Sequence, residues 1–260
     1  MKHRKPNSSS PGNHACLYGR RPVMEVMRAQ RRTVHEILIL ETLRDAETQE
    51  LRAFANGLRL PVRNVTAREM DQFTQGGHHQ GFAALCGGFP YAGINDVMVV
   101  LQKSETPPLV LLLDGLEDPQ NFGSLLRSAA AVDATAVLIP TDRAVGVTPA
   151  AVRASAGLSE MCRVARVTNL VQTMKDLQKA GLWITGLDTG EGARPYTKID
   201  FTGPVGLVVG GEGRGLRRLV RESCDFIAEI PMPGPAESLN AGVAGAVCLY
   251  EILRQRSINL

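Results

Sequence analysis

Three short polar segments of this chain have residue types suited to chemistry. They are Asn121-Phe-Gly-Ser-Leu-Leu-Arg127, Gly210-Gly-Glu-Gly-Arg-Gly215, and Ile230-Pro-Met232 running on to Ser238-Leu-Asn240. The first two follow apolar runs that read as buried strands, and the third joins such a run to a helix. Open parallel α/β sheets take ligands in the crevice at the carboxyl ends of their strands, so three loops of this kind predict one assembled site. Arg127 supplies a cation with a planar fork of donors, suited to an anionic partner. Asn121, Ser238 and Asn240 add neutral donors and acceptors, and Glu212 a carboxylate.

The glycine-rich segment does not read as a phosphate cradle. The G-x-G-x-x-G spacing is absent, as is a Gly-Lys-Ser/Thr ending. Glu212 would also repel a pyrophosphate held on backbone N–H groups. A ligand without phosphates, or one carrying positive charge, fits better; a tight strand-to-helix turn that uses glycine for positive φ competes with it. Asn121 after Asp118-Pro119, and either Ser238 or Asn240, have the chemistry of helix N-caps. Arg127 sits among Leu125, Leu126, Ala129, Ala130, Ala131 and Val132, which predicts a partly buried guanidinium with an anionic partner, from the protein or the substrate. All five histidines lie between His3 and His79, before these segments, so histidine acid–base or metal chemistry is excluded among them.

The elements that must position these residues read as two units. Tyr18 to Gly88 alternates helix and strand: helix Arg21–Gln30 with Pro22 in its first turn, strand Val34–Leu40, helix Arg44–Asn56 closed by Gly57, strand Leu60–Val65, helix Ala67–Thr74, strand Gln80–Cys86. Residues 89–106, rich in Gly and Pro around an amphipathic Asn95–Gln102, read as a linker. From 107 to 260, strands are expected at Leu109–Leu113, Ala136–Ile139, Leu182–Leu187, Val205–Val209 and Phe226–Ile230. Helices are expected at Asn121–Val132, Pro149–Ser155, Leu170–Ala180, Leu216–Glu222 and Leu239–Gln255. Such alternation with apolar strands predicts an α/β fold with a mostly parallel sheet clothed by helices. The small residues of the last helix (Ala241, Gly242, Ala244, Gly245, Ala246) predict a close helix–helix contact, within or between subunits.

Bulk properties narrow the class. At 260 residues, 44% hydrophobic and 21% charged, the chain has the composition of a soluble globular protein, without an apolar run approaching a membrane span. Five scattered cysteines with no CxxC pair fit unpaired thiols in a reducing compartment, the cytoplasm, and give no zinc site. Net charge is +3, yet eight of the 29 basic residues and only one of the 26 acidic ones lie in the first 35 positions. A basic amino-terminal end suits a polyanion, with Arg20, Arg21, Arg31 and Arg32 as its candidate contacts; a solvated tail with one basic helix face is the alternative. Residues 1–14 read as a disordered basic tail without the apolar core of a secretory signal.

The three segments, in this order and spacing, resemble the motifs of the SpoU/TrmH branch of the SPOUT methyltransferases, over roughly residues 105–260. The first 90 residues are similar to the ribosomal-protein-like RNA-binding domain of many members, with Tyr18-Gly19 and His79-Gln80-Gly81 as its punctuation. The resemblance implies a carboxyl-terminal trefoil knot, a homodimer, S-adenosylmethionine as cofactor, and methylation of a ribose 2′-hydroxyl in RNA, with guanosine of 23S ribosomal RNA favoured. A transfer RNA substrate, or an RNA-binding assembly or resistance factor without turnover, are the alternatives. It assigns catalysis to Asn121, Arg127, Glu212, Ser238 and Asn240, and cofactor binding to Gly210, Gly211, Gly213, Ile230, Met232 and Leu239. One departure stands out: the family commonly continues Ser-Leu-Asn-Val-Ser, whereas Ala241-Gly242 stand here.

Overall fold

The computed structural model describes residues 15–211, 215–236 and 238–257. The expected disordered tail, Glu212 and Gly213 lie outside these residues. The chain divides into two compact units, with the boundary between Pro90 and Tyr91.

The first unit runs β1 (Ala15–Tyr18), α1 (Arg20–Ala29), β2 (Val34–Leu40), α2 (Ala46–Gly57), β3 (Val62–Val65), α3 (Ala67–Thr74) and β4 (Phe82–Cys86). Its sheet order is β1-β4-β2-β3, antiparallel at β1–β4 and β4–β2 and parallel at β2–β3. Local chemistry sets the helix starts: the Asp45 side chain accepts from the Thr48 N–H, and Thr66 with Glu69 closes a capping box. Helix α2 runs through Gly57 rather than stopping at it, and Arg59 takes the left-handed turn instead (φ 57°). Leu38, Val65, Met70 and Ala83 form a buried cluster against which Tyr18 and Phe73 pack. Strand β1 was not expected; four residues are too few for a periodicity, and it exists through its pairing with the distant β4.

The second unit runs α4 (Ile94–Lys103), β5 (Leu109–Asp114), α5 (Pro119–Ala131), β6 (Ala136–Pro140), α6 (Pro149–Ala154), β7 (Val164–Val167), α7 (Leu170–Lys179), β8 (Trp183–Leu187), β9 (Ala193–Pro195), β10 (Val205–Gly210), α8 (Arg218–Glu222), β11 (Phe226–Glu229) and α9 (Ala241–Ser257). Its seven-stranded sheet has the order β7-β6-β5-β10-β8-β11-β9, and the pairings among these strands are parallel. Every residue of β5, β6 and β10 is buried, as strands covered on both faces should be. Each such Leu or Val contributes about 1.5–3 kcal/mol relative to exposure.

Three expectations need correction here. The segment from Tyr91 is not a free linker: the Ala92 N–H donates to the Val164 carbonyl at 2.9 Å, and α4 buries Val97 and Leu101 in the sheet's core cluster. Strands β7 and β9 are additional. Helix α5 is capped by Asp118, whose carboxylate accepts from the Asn121 N–H at 2.9 Å with Pro119 at the first helical position, so Asn121 lies inside the helix rather than at its cap.

The last helix packs on α5 and latches the strand starts. The Arg256 guanidinium donates to the carbonyls of Pro107 (2.8 Å), Pro108 (3.2 Å), Phe201 (3.2 Å) and Gly203 (2.8 Å). Close approach of α9 depends on its small residues: a Cβ on Gly245 would lie 2.4 Å from Leu125 Cδ2 and 3.2 Å from Val209 Cγ2. The helix–helix contact expected from composition is therefore made within the chain.

Candidate active site

Strands β5, β10 and β11 all end at one edge of the parallel sheet, and the three polar segments leave from those ends. β5 and β10 are neighbours, paired from Leu109↔Val205 to Asp114↔Gly210, and β8 lies between β10 and β11. The first and third segments touch: Asn240 Nδ2 donates to Asn121 Oδ1 at 2.7 Å, across 119 positions of sequence. Asn121 is 6% exposed. Asn240 also caps α9, its Oδ1 accepting from the Val243 N–H at 3.2 Å. Gly242 faces this pair, since a Cβ there would lie 3.1 Å from Asn240 Oδ1 and 3.4 Å from Asn121 Oδ1. The serine usual at this position would stand beside the two amides; here they pair without it.

The glycine-rich segment is shaped by close backbone passage more than by positive φ. A Cβ on Gly210 would lie 2.3 Å from the Gly215 carbonyl oxygen, and one on Gly211 would lie 2.7 Å from that of Gly115. Gly211 and Gly215 form an antiparallel bridge; Gly215 (φ 59°) and Gly115 (φ 72°) have positive φ, whereas Gly210 and Gly211 do not. Both ends of the segment are tied to one residue absent from the sequence-based set, Asp114. Its carbonyl accepts from the Gly211 N–H at 3.1 Å. Its carboxylate accepts from the Arg217 N–H at 2.8 Å and from Arg217 Nε at 2.5 Å, with a second guanidinium nitrogen also at 2.5 Å. The Asp114 side chain has no exposed surface, whereas that of Arg217 is 57% exposed. A signal was available, because a carboxylate terminates the wholly apolar run Leu109–Leu113 at the ligand edge of the sheet.

Arg127 corrects an expectation. It is exposed, and it makes no hydrogen bond or ion pair with the described residues. Together with Ser124 and Ala131 it forms the exposed stripe of α5, while Leu125, Leu126 and Ala129 face the core. It stands about 9 Å along the helix axis from Asn121, at 1.5 Å per residue. Ile230 and Met232 are half-buried, Ser238 is exposed, and Leu239 keeps 38% of its surface.

In the first unit the four arginines differ. Arg21 is exposed. Arg20 pairs with Glu47 (3.1 Å) and Glu50 (3.3 Å). Arg31 lies over the Phe89 ring at 5.6 Å. Arg32 is 7% exposed, lies 5.1 Å from the same ring centroid, and donates to the Gly87 carbonyl at 3.4 Å. Arg32 is a packing cation, which removes it from the exposed set expected to meet RNA.

Comparison with known proteins agrees with this geometry. Residues 108–250 match the model of the SpoU rRNA Methylase family, and residues 16–92 match RNA 2′-O ribose methyltransferase substrate binding. The chain is 39% identical over 242 residues to the 23S rRNA (guanosine-2′-O-)-methyltransferase RlmB of Pseudomonas putida, covering 93% of this chain and 97% of that one. It is 41% identical to the RlmB of Coxiella burnetii, covering 92% and 95%. The crystal structure of the SpoU methyltransferase AviRb from Streptomyces viridochromogenes with the cofactor AdoMet superposes with a TM-score of 0.78 at 25% identity, covering 98% of this chain and 95% of that one. Two family models in tandem, near-complete coverage and a shared fold have one meaning: this chain belongs to the SpoU rRNA methylase family.

Proposed function

We propose that the protein transfers a methyl group from S-adenosylmethionine to the ribose 2′-hydroxyl of a guanosine in 23S ribosomal RNA. The observation that carries this reading is the convergence of the three segments at one strand edge, joined by the Asn121–Asn240 hydrogen bond. The residues fit the cofactor. The Gly210–Gly211 backbone passes Gly215 and Gly115 with no room for side chains, and Leu239 offers exposed apolar surface, an environment for a nucleoside and a thioether chain without phosphates. Gly210, Gly211, Gly213, Ile230, Met232 and Leu239 would hold it. The cofactor brings an electrophilic methyl on a sulfonium, and the protein supplies position and charge.

Arg127, exposed and without a hydrogen bond or ion pair among the described residues, takes an RNA phosphate and stabilises negative charge developing on the ribose oxygen. A guanidinium offers donors and no acceptor, so a phosphate oxygen or water takes the hydroxyl proton. Asn121 and Asn240, locked to each other, orient the reacting groups with Ser238 and Glu212. Residues 15–90 bind the RNA, with Arg21 and Arg31 contributing charge, and residues 91–260 perform the transfer in the cytoplasm. Family membership supports a trefoil knot at the carboxyl-terminal end. A homodimer is supported by α9, whose exposed Val243, Tyr250 and Leu253 share one face.

Incubation with labelled S-adenosylmethionine and unmodified total RNA, followed by mapping of alkali-resistant linkages, tests the proposal. A single 2′-O-methylguanosine in 23S ribosomal RNA is expected. Label confined to transfer RNA, or none with a protein that binds the cofactor, overturns it.

A further inference from the structure

The sheet edge opposite the candidate active site carries a second constellation. Trp183, Val205 and Phe226 begin β8, β10 and β11, and the other ends of β10 and β11 lead to the glycine-rich and Ile230 segments described above. Trp183 is 58% exposed, although the next three residues of its strand are buried. Its ring centroid lies 5.7 Å from that of Phe226, with the planes tilted by 41°. The Arg194 guanidinium lies 6.0 Å from the Phe226 centroid. Trp183, Phe226, Arg194, Lys198, Asp200 and Thr202 help to line a cavity of about 460 Å³. Asp200 Oδ1 accepts from both the Thr202 N–H (2.9 Å) and hydroxyl (2.7 Å), bonds that hold its carboxyl below the usual range. The lining therefore carries two cations against one carboxylate already engaged, a positive balance around an exposed aromatic pair.

We propose that this cavity is a second RNA-contact site, which takes one unpaired nucleotide with its base stacked on Trp183 and its phosphate on Arg194 and Lys198. The cavity is within the volume range of small-ligand sites. Aromatic side chains beside cations are the general platform for single-stranded nucleic acid, because every base has a face to stack. The six residues of β10 separate this edge from the ligand edge by roughly 20 Å. The site would therefore grip RNA flanking the target rather than the target ribose. The inference rests on RNA being the substrate.

Trp183 is the only tryptophan in the chain, so its fluorescence reports on this site alone. Titration of the full chain with a single-stranded RNA of about ten nucleotides, within the span of such platforms, should give saturable quenching that weakens with salt. Trp183→Ala should lower affinity for a 23S ribosomal RNA fragment by roughly five- to hundred-fold, the range for losing one stacked base. The Arg194→Gln, Lys198→Gln double variant, which retains the fluorophore, should require higher RNA concentrations for quenching and show a shallower salt dependence. S-adenosylmethionine affinity and thermal unfolding should stay at wild-type values in both variants. Absence of quenching at RNA concentrations that saturate methylation would overturn the site while leaving the proposed function intact. Emission that changes with protein concentration alone would also overturn it, by giving this face to a second copy of the chain. Quenching without methyl transfer would support the site and count against the proposed function.

Discussion

Replacing Asp114 by Asn tests whether one buried carboxylate holds the glycine-rich segment in shape. The carboxylate lies wholly inside the protein and accepts both the Arg217 backbone N–H and its guanidinium. Breaking a buried ion pair costs about 3–5 kcal/mol when the abandoned charge stays buried. Arg217, however, is 57% exposed, so water recovers much of its solvation, and the loss falls to about 2 kcal/mol. In a unit of this size that lowers the unfolding midpoint by roughly 4–8 °C. If the anchored segment is the form that binds S-adenosylmethionine, weakening it by about 1–2 kcal/mol raises the Kd roughly five- to thirty-fold. Arg217→Ala should be worse, because it strands the carboxylate with a single backbone donor, and the double variant should recover part of that loss. Calorimetric titration with the cofactor, beside thermal unfolding, reads both quantities. An Asp114→Asn protein whose Kd stays within about two-fold and whose midpoint moves by less than about 1 °C would refute the reasoning.

Arg127→Ala should reduce methyl transfer by roughly hundred-fold or more with cofactor Kd unchanged, as expected for loss of an electrostatic group aimed at the reacting oxygen. Substantial activity in Arg127→Lys would show that charge suffices; loss equal to Ala would require the planar fork. Gly245→Val should destabilise the second unit by about 1–3 kcal/mol in urea unfolding, because the added Cβ meets Leu125 at 2.4 Å; an unchanged midpoint would refute the close α5–α9 contact. Neutralising Arg21 and Arg31 should weaken RNA binding and flatten its salt dependence, while Arg32→Gln should act on stability instead; an unchanged slope in the first pair counts against an RNA role. Burial pushes the Cys224 and Cys248 thiols up to about 12 and that of Cys16 to about 11. These folded values exceed the unfolded ones, so their contribution is complete below the ordinary thiol range and declines as pH rises through about 9 towards 12. Stability measured across this alkaline window should fall, and rapid labelling of Cys248 in the folded protein near pH 8 would contradict it.

The parts of the fold legible in the sequence were those with a local cause. Leu109–Leu113 and Val205–Val209 are continuous apolar runs, and such runs form buried strands wherever the chain places them. The loops that follow them are polar and rich in glycine, so the ligand edge was visible too. Strand β9, three residues ending in Pro195, has no local cause; it forms because β11 offers a free edge. Helix α5 departs from the expectation at both the cap and the arginine. Pro119 at the first helical position makes its predecessor the cap, which is Asp118. Ser124, Arg127 and Ala131 recur at helical spacing, so the same periodicity that buries Leu125 and Leu126 turns Arg127 outward. Asp114 was missed because its importance lies in a partner 103 positions away. The carboxylate that closes the apolar run Leu109–Leu113 marks the position, but no local pattern names its partner.

The Arg256 latch also governs the order in which the molecule can be completed. Its four carbonyl partners belong to segments made long before it, the farthest 149 positions earlier. Until α9 emerges during synthesis, α5 and the face of β10 that α9 covers remain open, with Leu125 and Val209 uncovered. Such late closure of an apolar face favours slow maturation and gives folding helpers a defined window in which to bind nascent chains.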